Sequence, residues 1–270
     1  MLRWSIPLFR IRGIQLAVHG SFFLLLAYVA WAGAQPSTEL EGLGGWLGVA
    51  WSVALLLAFF TCVVLHELGH SFMAMRFGVG VRRILLMPIG GMAEFDSIPR
   101  EPRRELLITA AGPLVNFVLA FGFWFVIRDL PDEVPYYSFG AFASQLLWAN
   151  LVMGIFNLLP AFPMDGGRLL RAIVATRRPY LRATWWAALT GKIVCALGIL
   201  AALTVSLLGY ADLWLLVVLF AFIALAGELE YRAIARREQE AEHWRQVLAR
   251  WYQKEPPPEP PLLASSPPLP

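Results

Sequence analysis

The sequence predicts an all-α polytopic membrane protein with about six transmembrane helices and a short membrane-associated β-hairpin. Three observations predict it. The 270 residues are 58% hydrophobic and only 15% charged, against about 45–50% and about 25% in a soluble domain. The mean hydropathy of +0.60 agrees. Apolar stretches near the ~20 residues that a spanning helix needs recur along the chain, and Lys and Arg fall almost entirely in alternate loops between them. These features exclude a disordered chain, a disulfide-stapled secreted domain and an ordinary soluble enzyme. The two cysteines, Cys62 and Cys195, sit in apolar runs and form neither a disulfide framework nor a CxxC pair.

In chain order, the expected spans are residues 15–32, 46–65 running on to 72, 106–127, 139–159, 183–208 and the short 213–227. A signal peptide at the N-terminus is not expected. The first apolar run exceeds the usual ~7–15-residue apolar core of such a peptide, and it contains His19. Six spans place twenty of the twenty-two Lys and Arg on one side and Arg128 alone on the other, with Lys192 inside a span. By the positive-inside rule both termini are then cytoplasmic, in a multi-pass protein of the cell membrane.

Two segments do not span. Residues 81–95 form two short apolar runs split by Pro88-Ile89-Gly90-Gly91, which reads as a hairpin of two strands, 81–86 and 92–95. Lipid does not tolerate exposed strand edges, so the hairpin must pack on protein or line a wet cavity. Residues 229–254 read as an amphipathic cytoplasmic helix leaving the last span, with Trp244, Leu248 and Trp251 on one stripe. Residues 255–270 are Pro-rich and expected to be disordered. The expected organisation is a membrane-embedded core over 1–228, the helix and the tail.

The second span ends in His66-Glu67-Leu68-Gly69-His70. Positions i and i+4 share a helix face, so His66 and His70 can bind one metal ion. Glu67 between them is placed to act on water rather than to ligate. Catalytic zinc takes three protein ligands, so a third is required. Asp165 is the only acid between Glu133 and Asp212. It follows Pro160 and Pro163 and precedes Gly166 and Gly167, where a broken helix lets a carboxylate turn inward.

These residues resemble the site-2 protease family of intramembrane zinc metalloproteases. The resemblance rests on His66–His70 (HELGH), Met164–Arg168 (MDGGR), Ala111–Asn116 (AGPLVN), the opening IRGIQLAVHGSF and the LLMPIGGMAEF hairpin, and covers roughly residues 11–171. It implies one zinc held by His66, His70 and Asp165, with Glu67 as general base and an active site in the cytoplasmic half of the membrane. Asn157, eight residues before Asp165, and Asn116 match family positions that line the site and orient substrate carbonyls or the oxyanion; the bland reading of both is interhelical glue. Asn150 reads as glue, His19 as a buried hydrogen-bonded residue, His243 as solvent-facing, and Lys192 as pairing or snorkelling.

The expected activity is hydrolysis of peptide bonds in or near transmembrane segments of single-pass membrane proteins, with an unwound substrate strand adding to the hairpin edge. The bilayer is the expected surroundings. A nucleic acid partner is not expected, and a homo-oligomer is left open. No segment between spans is long enough for the PDZ domain of some relatives, and too few residues follow Glu228 for the tandem CBS domains of others. A compact core is therefore expected. The competing readings are a broken-helix transporter, a catalytically inactive scaffold, and a protease of soluble or juxtamembrane peptides.

Overall fold

The structure is a computed structural model that describes residues 4–35, 45–96, 101–131, 135 and 137–254. Eleven elements follow in chain order among the described residues: β1 (Ser5–Ile11), β2 (Ile14–His19), α1 (Ser21–Ala34), α2 (Trp46–Arg76), β3 (Val81–Met87), β4 (Gly90–Phe95), α3 (Pro102–Ile127), α4 (Phe139–Asn157), α5 (Asp165–Ala175), α6 (Tyr180–Leu207) and α7 (Trp214–Lys254). The expected Pro-rich tail lies outside the described residues.

The helical membrane fold is as expected, with five helices among the described residues long and apolar enough to cross a bilayer: α2, α3, α4, α6 and α7. Their outward faces carry large apolar side chains such as Leu114, Phe121, Trp148, Leu197 and Leu215. Those faces suit lipid, whose tails are as apolar as the side chains. The first expected span divides differently. Residues Ile14–His19 form a strand, and α1 has only 14 residues, about 21 Å at 1.5 Å per residue against a hydrocarbon core of about 30 Å. Ile14, Leu16, Ala17 and Val18 are all buried, so the strand lacks the polar alternation that marks a half-exposed one.

The expected hairpin belongs to a four-stranded sheet of order β1-β2-β3-β4. β1 and β2 pair antiparallel with Ile11 opposite Ile14. The two-residue loop between them has positive φ at both positions, Arg12 (49°) and Gly13 (90°), the turn geometry that matches strand twist. β2 pairs parallel with β3, Leu16 opposite Ile84, and β3 pairs antiparallel with β4, Ile84 opposite Ala93. Among the described residues β3 is therefore interior and β4 is an edge.

This pairing sets the path of the chain. The strand before α1 lies beside the strand after α2, so α1 leaves the sheet side and α2 returns to it despite the shortness of α1. α3 and α6 lead away from that side, and α4 and α7 lead back. Ile14, Leu16, Phe22, Phe60, Val63 and Ile84 pack into one buried cluster joining β2, α1, α2 and β3. That cluster seats the C-terminal half of α2 on the sheet. α7 continues through Glu228 without a break to Lys254, so the expected boundary at 228/229 falls within one helix.

Candidate metal centre

His66 and His70 occupy successive turns of α2, and both are buried. Asp165 opens α5 and comes to them from 95 residues away in sequence. Its approach depends on the loop before it. A Cβ on Gly166 would overlap the Leu158 and Leu159 carbonyl oxygens, and one on Gly167 would lie 2.7 Å from the Ala161 carbonyl carbon. The two glycines therefore let residues 158–163 fold tightly over the first turn of α5.

Asp165 Oδ2 lies 3.1 Å from His70 Nε2 and 3.3 Å from His66 Nε2. The two Nε2 atoms are 3.1 Å apart. His66 Nδ1 lies 2.5 Å from Asn116 Oδ1, and His70 Nδ1 lies 2.8 Å from the Ile108 carbonyl oxygen. Both oxygens only accept, so each Nδ1 carries a hydrogen, and a ring with that hydrogen alone turns a lone pair outward at Nε2. Two such lone pairs and a carboxylate oxygen facing one another repel unless a cation lies between them. A proton can serve two of the three atoms; a metal ion serves all three.

The spacing fits as well. Bonds of ~2.0–2.1 Å at tetrahedral angles put ligand atoms ~3.3 Å apart, close to the three separations here. His66, His70 and Asp165 form a group that could hold a metal ion, with one potential ligand atom from each lying within 4.8 Å of the others. Two imidazoles and one carboxylate suit zinc and leave a coordination position open.

Glu67, half-buried, follows His66 on α2. Its side chain lies against the start of β4, where a Cβ on Gly91 would come 2.7 Å from Glu67 Cγ. The sheet edge thus begins beside Glu67. Asn157 is the last residue of α4 and half-buried, and among the described residues its side chain has no hydrogen-bond partner. Asn116 is fully buried, and both ends of its amide are engaged: Oδ1 accepts from His66, and Nδ2 donates to Asn150 Oδ1 at 2.9 Å. Its amide is engaged with His66 and Asn150 rather than standing free for a substrate carbonyl.

Other singled-out residues fall outside the cluster. His19 Nδ1 pairs with Ser21 Oγ at 2.7 Å. Lys192 pairs with Glu228 at 2.6 Å, and His243 is exposed on α7.

Three supporting features escaped the sequence reading. Ile108 contributes only a backbone carbonyl, which no side-chain pattern reveals. Gly112 of α3, quoted within Ala111–Asn116 but given no role there, lets the helix backbone pass directly beneath both imidazoles. The third is a buried ion pair: Arg171 Nε donates to Glu105 Oε1 at 2.8 Å, both side chains 2% exposed. The guanidinium also stacks 5.2 Å from the Phe162 ring centroid and 5.1 Å from that of Tyr180. It fastens α5, which carries Asp165, to α3, which carries Ile108. The available signal was slight: Glu105 and Arg171 each border an apolar run, Leu106-Leu107-Ile108 and Ala172-Ile173-Val174.

Five helices long and apolar enough to cross a bilayer, with two histidines and an aspartate brought together among them, define a helical membrane protein with a candidate metal centre. The model described as Peptidase family M50 matches residues 54–132 and 127–201. The chain belongs to that family. It is 37% identical over 234 residues to a zinc metalloprotease of Methanocaldococcus jannaschii, covering 86% of this chain and 62% of that one. It is 30% identical over 201 residues to stage IV sporulation protein FB of Bacillus subtilis, covering 74% and 64%. The chain thus spans less than two thirds of the length of these curated relatives. The solved site-2 protease of Methanocaldococcus jannaschii superposes with a TM-score of 0.58 at 35% identity, covering 84% of this chain and 95% of that one.

Proposed function

We propose that this chain is a zinc endopeptidase that hydrolyses peptide bonds in or near the transmembrane segments of single-pass membrane proteins. The observation that carries the reading is the convergence of His66, His70 and Asp165 between membrane helices, with Glu67 beside His66. Bound zinc would supply Lewis acidity, making water nucleophilic near neutral pH and polarising a peptide carbonyl. Glu67 would take the proton from the attacking water and return it to the leaving amine. Asn157, with its amide uncommitted, is the candidate donor to the developing oxyanion. Asn116 would hold His66.

A substrate helix has its carbonyls locked in its own hydrogen bonds and must unwind before attack. β4 offers the place for the unwound strand: it is a sheet edge, and its start touches Glu67. Under this reading residues 1–228 form the catalytic core, and the rest of α7 extends into the cytoplasm together with both termini. The Lys and Arg distribution supports this orientation in the cell membrane.

Quantitative proteomics of membranes carrying wild type or Glu67→Gln tests the substrate class. Single-pass proteins should accumulate uncut with the variant. An unchanged membrane proteome would contradict the reading.

A further inference from the structure

Two buried asparagines connect the metal cluster to α4 through a series of hydrogen bonds in which every donor is fixed. The Leu146 carbonyl oxygen only accepts, so Asn150 must turn Nδ2 toward it, at 2.8 Å. Asn150 Oδ1 then faces Asn116 and accepts from its Nδ2 at 2.9 Å. That leaves Asn116 Oδ1 to meet His66 Nδ1, which must therefore be the protonated ring nitrogen. The lone pair of His66 is thereby left on Nε2, the atom that faces His70 and Asp165.

We infer that Asn150 is a positioning residue that fixes the tautomer of His66, acting through Asn116. The inference rests on the reading of His66, His70 and Asp165 as zinc ligands. Asn116 and Asn150 are 0% exposed and His66 is 3% exposed, so water does not replace a broken link. Without Asn150 the amide of Asn116 is free to turn over. Its Nδ2–H would then meet His66 Nδ1, drive the ring proton to Nε2 and close the ligand atom. His70 needs no such device, because its Nδ1 donates to a backbone carbonyl that cannot turn over. The helices are shaped for the contact. Gly154, one turn beyond Asn150, brings α4 close enough that a Cβ there would lie 3.4 Å from Asn116 Cβ and 3.2 Å from the Phe117 ring.

The test uses the full chain in detergent, with zinc affinity read by competition against a chromophoric chelator. Helix content and melting temperature of the metal-free protein are read alongside. Asn150→Leu should weaken zinc binding about ten- to a hundredfold, the usual effect of losing a partner that orients a ligand, while metal-free helix content and melting stay near wild type. Asn116→Ala should weaken it at least as much. The double variant should be no weaker than Asn116→Ala alone, because the two act in series. Asn150→Asp keeps an oxygen for Asn116 Nδ2 and should stay within about threefold of wild type, well short of the loss from an absent partner. If Asn150→Leu does not fold, Asn150→Ala carries the same reading. Wild-type affinity in Asn150→Leu, losses that multiply in the double variant, or an Asn150→Asp as weak as Asn150→Leu would each overturn the inference. His70→Ala separates the two levels. Zinc lost there but unchanged in Asn150→Leu overturns the positioning role alone, whereas zinc retained in both overturns the metal site.

Discussion

Gly112 lies directly beneath His70: a Cβ on Gly112 would overlap His70 Nε2 and Cε1 and come 2.8 Å from His66 Cε1. The absence of a side chain at this one position of α3 lets both imidazoles reach Asp165. Gly112→Ala should therefore abolish stoichiometric zinc binding. Gly122, on the same helix, has nothing within 4 Å of the corresponding position, so Gly122→Ala should leave zinc unchanged. Metal analysis of the two purified variants checks this. Full zinc content in Gly112→Ala would show that the rings sit elsewhere.

The edge position of β4 sharpens the expectation for substrate binding. Proline lacks the N–H that an added strand would use and fixes φ. Substitution at Met92, Ala93 or Glu94 should include at least one variant whose turnover of a model span falls tenfold or more at full zinc content. Proline at Ile84, Leu85 or Leu86 strikes an interior strand paired on both sides, so activity and thermal stability should fall together there. Parallel loss of both across β4 as well would mean the edge only packs the fold.

The β3–β4 pair should also respond to acid. Arg83 donates from Nε and Nη2 to the two Glu94 carboxylate oxygens, each at 2.8 Å. The bond from Arg83 holds the Glu94 carboxyl below its ordinary value. A depressed folded value means the stabilisation is present above the unfolded carboxyl pKa of ~4.3 and is lost as pH falls through the lower folded value. Amide exchange in β4, corrected for intrinsic rates, should accelerate below about pH 4 and do so less steeply in Glu94→Gln. An identical acid response in the variant would remove the ion pair as its cause.

Orientation is open to a separate test. A reporter fused after Lys254 should read cytoplasmic, and one inserted at Glu39 should read external. The Lys and Arg distribution supports this orientation, and the return of α2 to the sheet side supports opposite readings at the two positions. The reverse pattern would place the metal centre nearer the other face of the membrane.

The clustering of His66, His70 and Asp165 was legible in the sequence because metal chemistry dictates residue type and spacing. A histidine pair four apart on a helix, and one acid in a long acid-free stretch, leave few alternatives. The spanning helices were legible from apolar length. The sheet was only half legible. β3 and β4 showed through the turn at Pro88–Gly91, but β2 is paired on both sides and buried, so its apolar run merged with α1. Arg12-Gly13 between Ile11 and Ile14 was the local signal for the first hairpin. Asn150 was legible as interhelical glue but its partner was not, because its pairing with Asn116 spans 34 residues and arises only when α3 and α4 pack.

The most direct test of the central claim is cleavage by reconstituted protein of matched zinc content. Wild type and Glu67→Gln, each holding one zinc, are given a single-pass model substrate in liposomes. Glu67 stands outside the group of His66, His70 and Asp165, so the variant should keep its metal. Removal of the proton acceptor should slow peptide hydrolysis about 10²–10⁴-fold. Cleavage by the zinc-loaded Glu67→Gln protein at the wild-type rate would contradict the account.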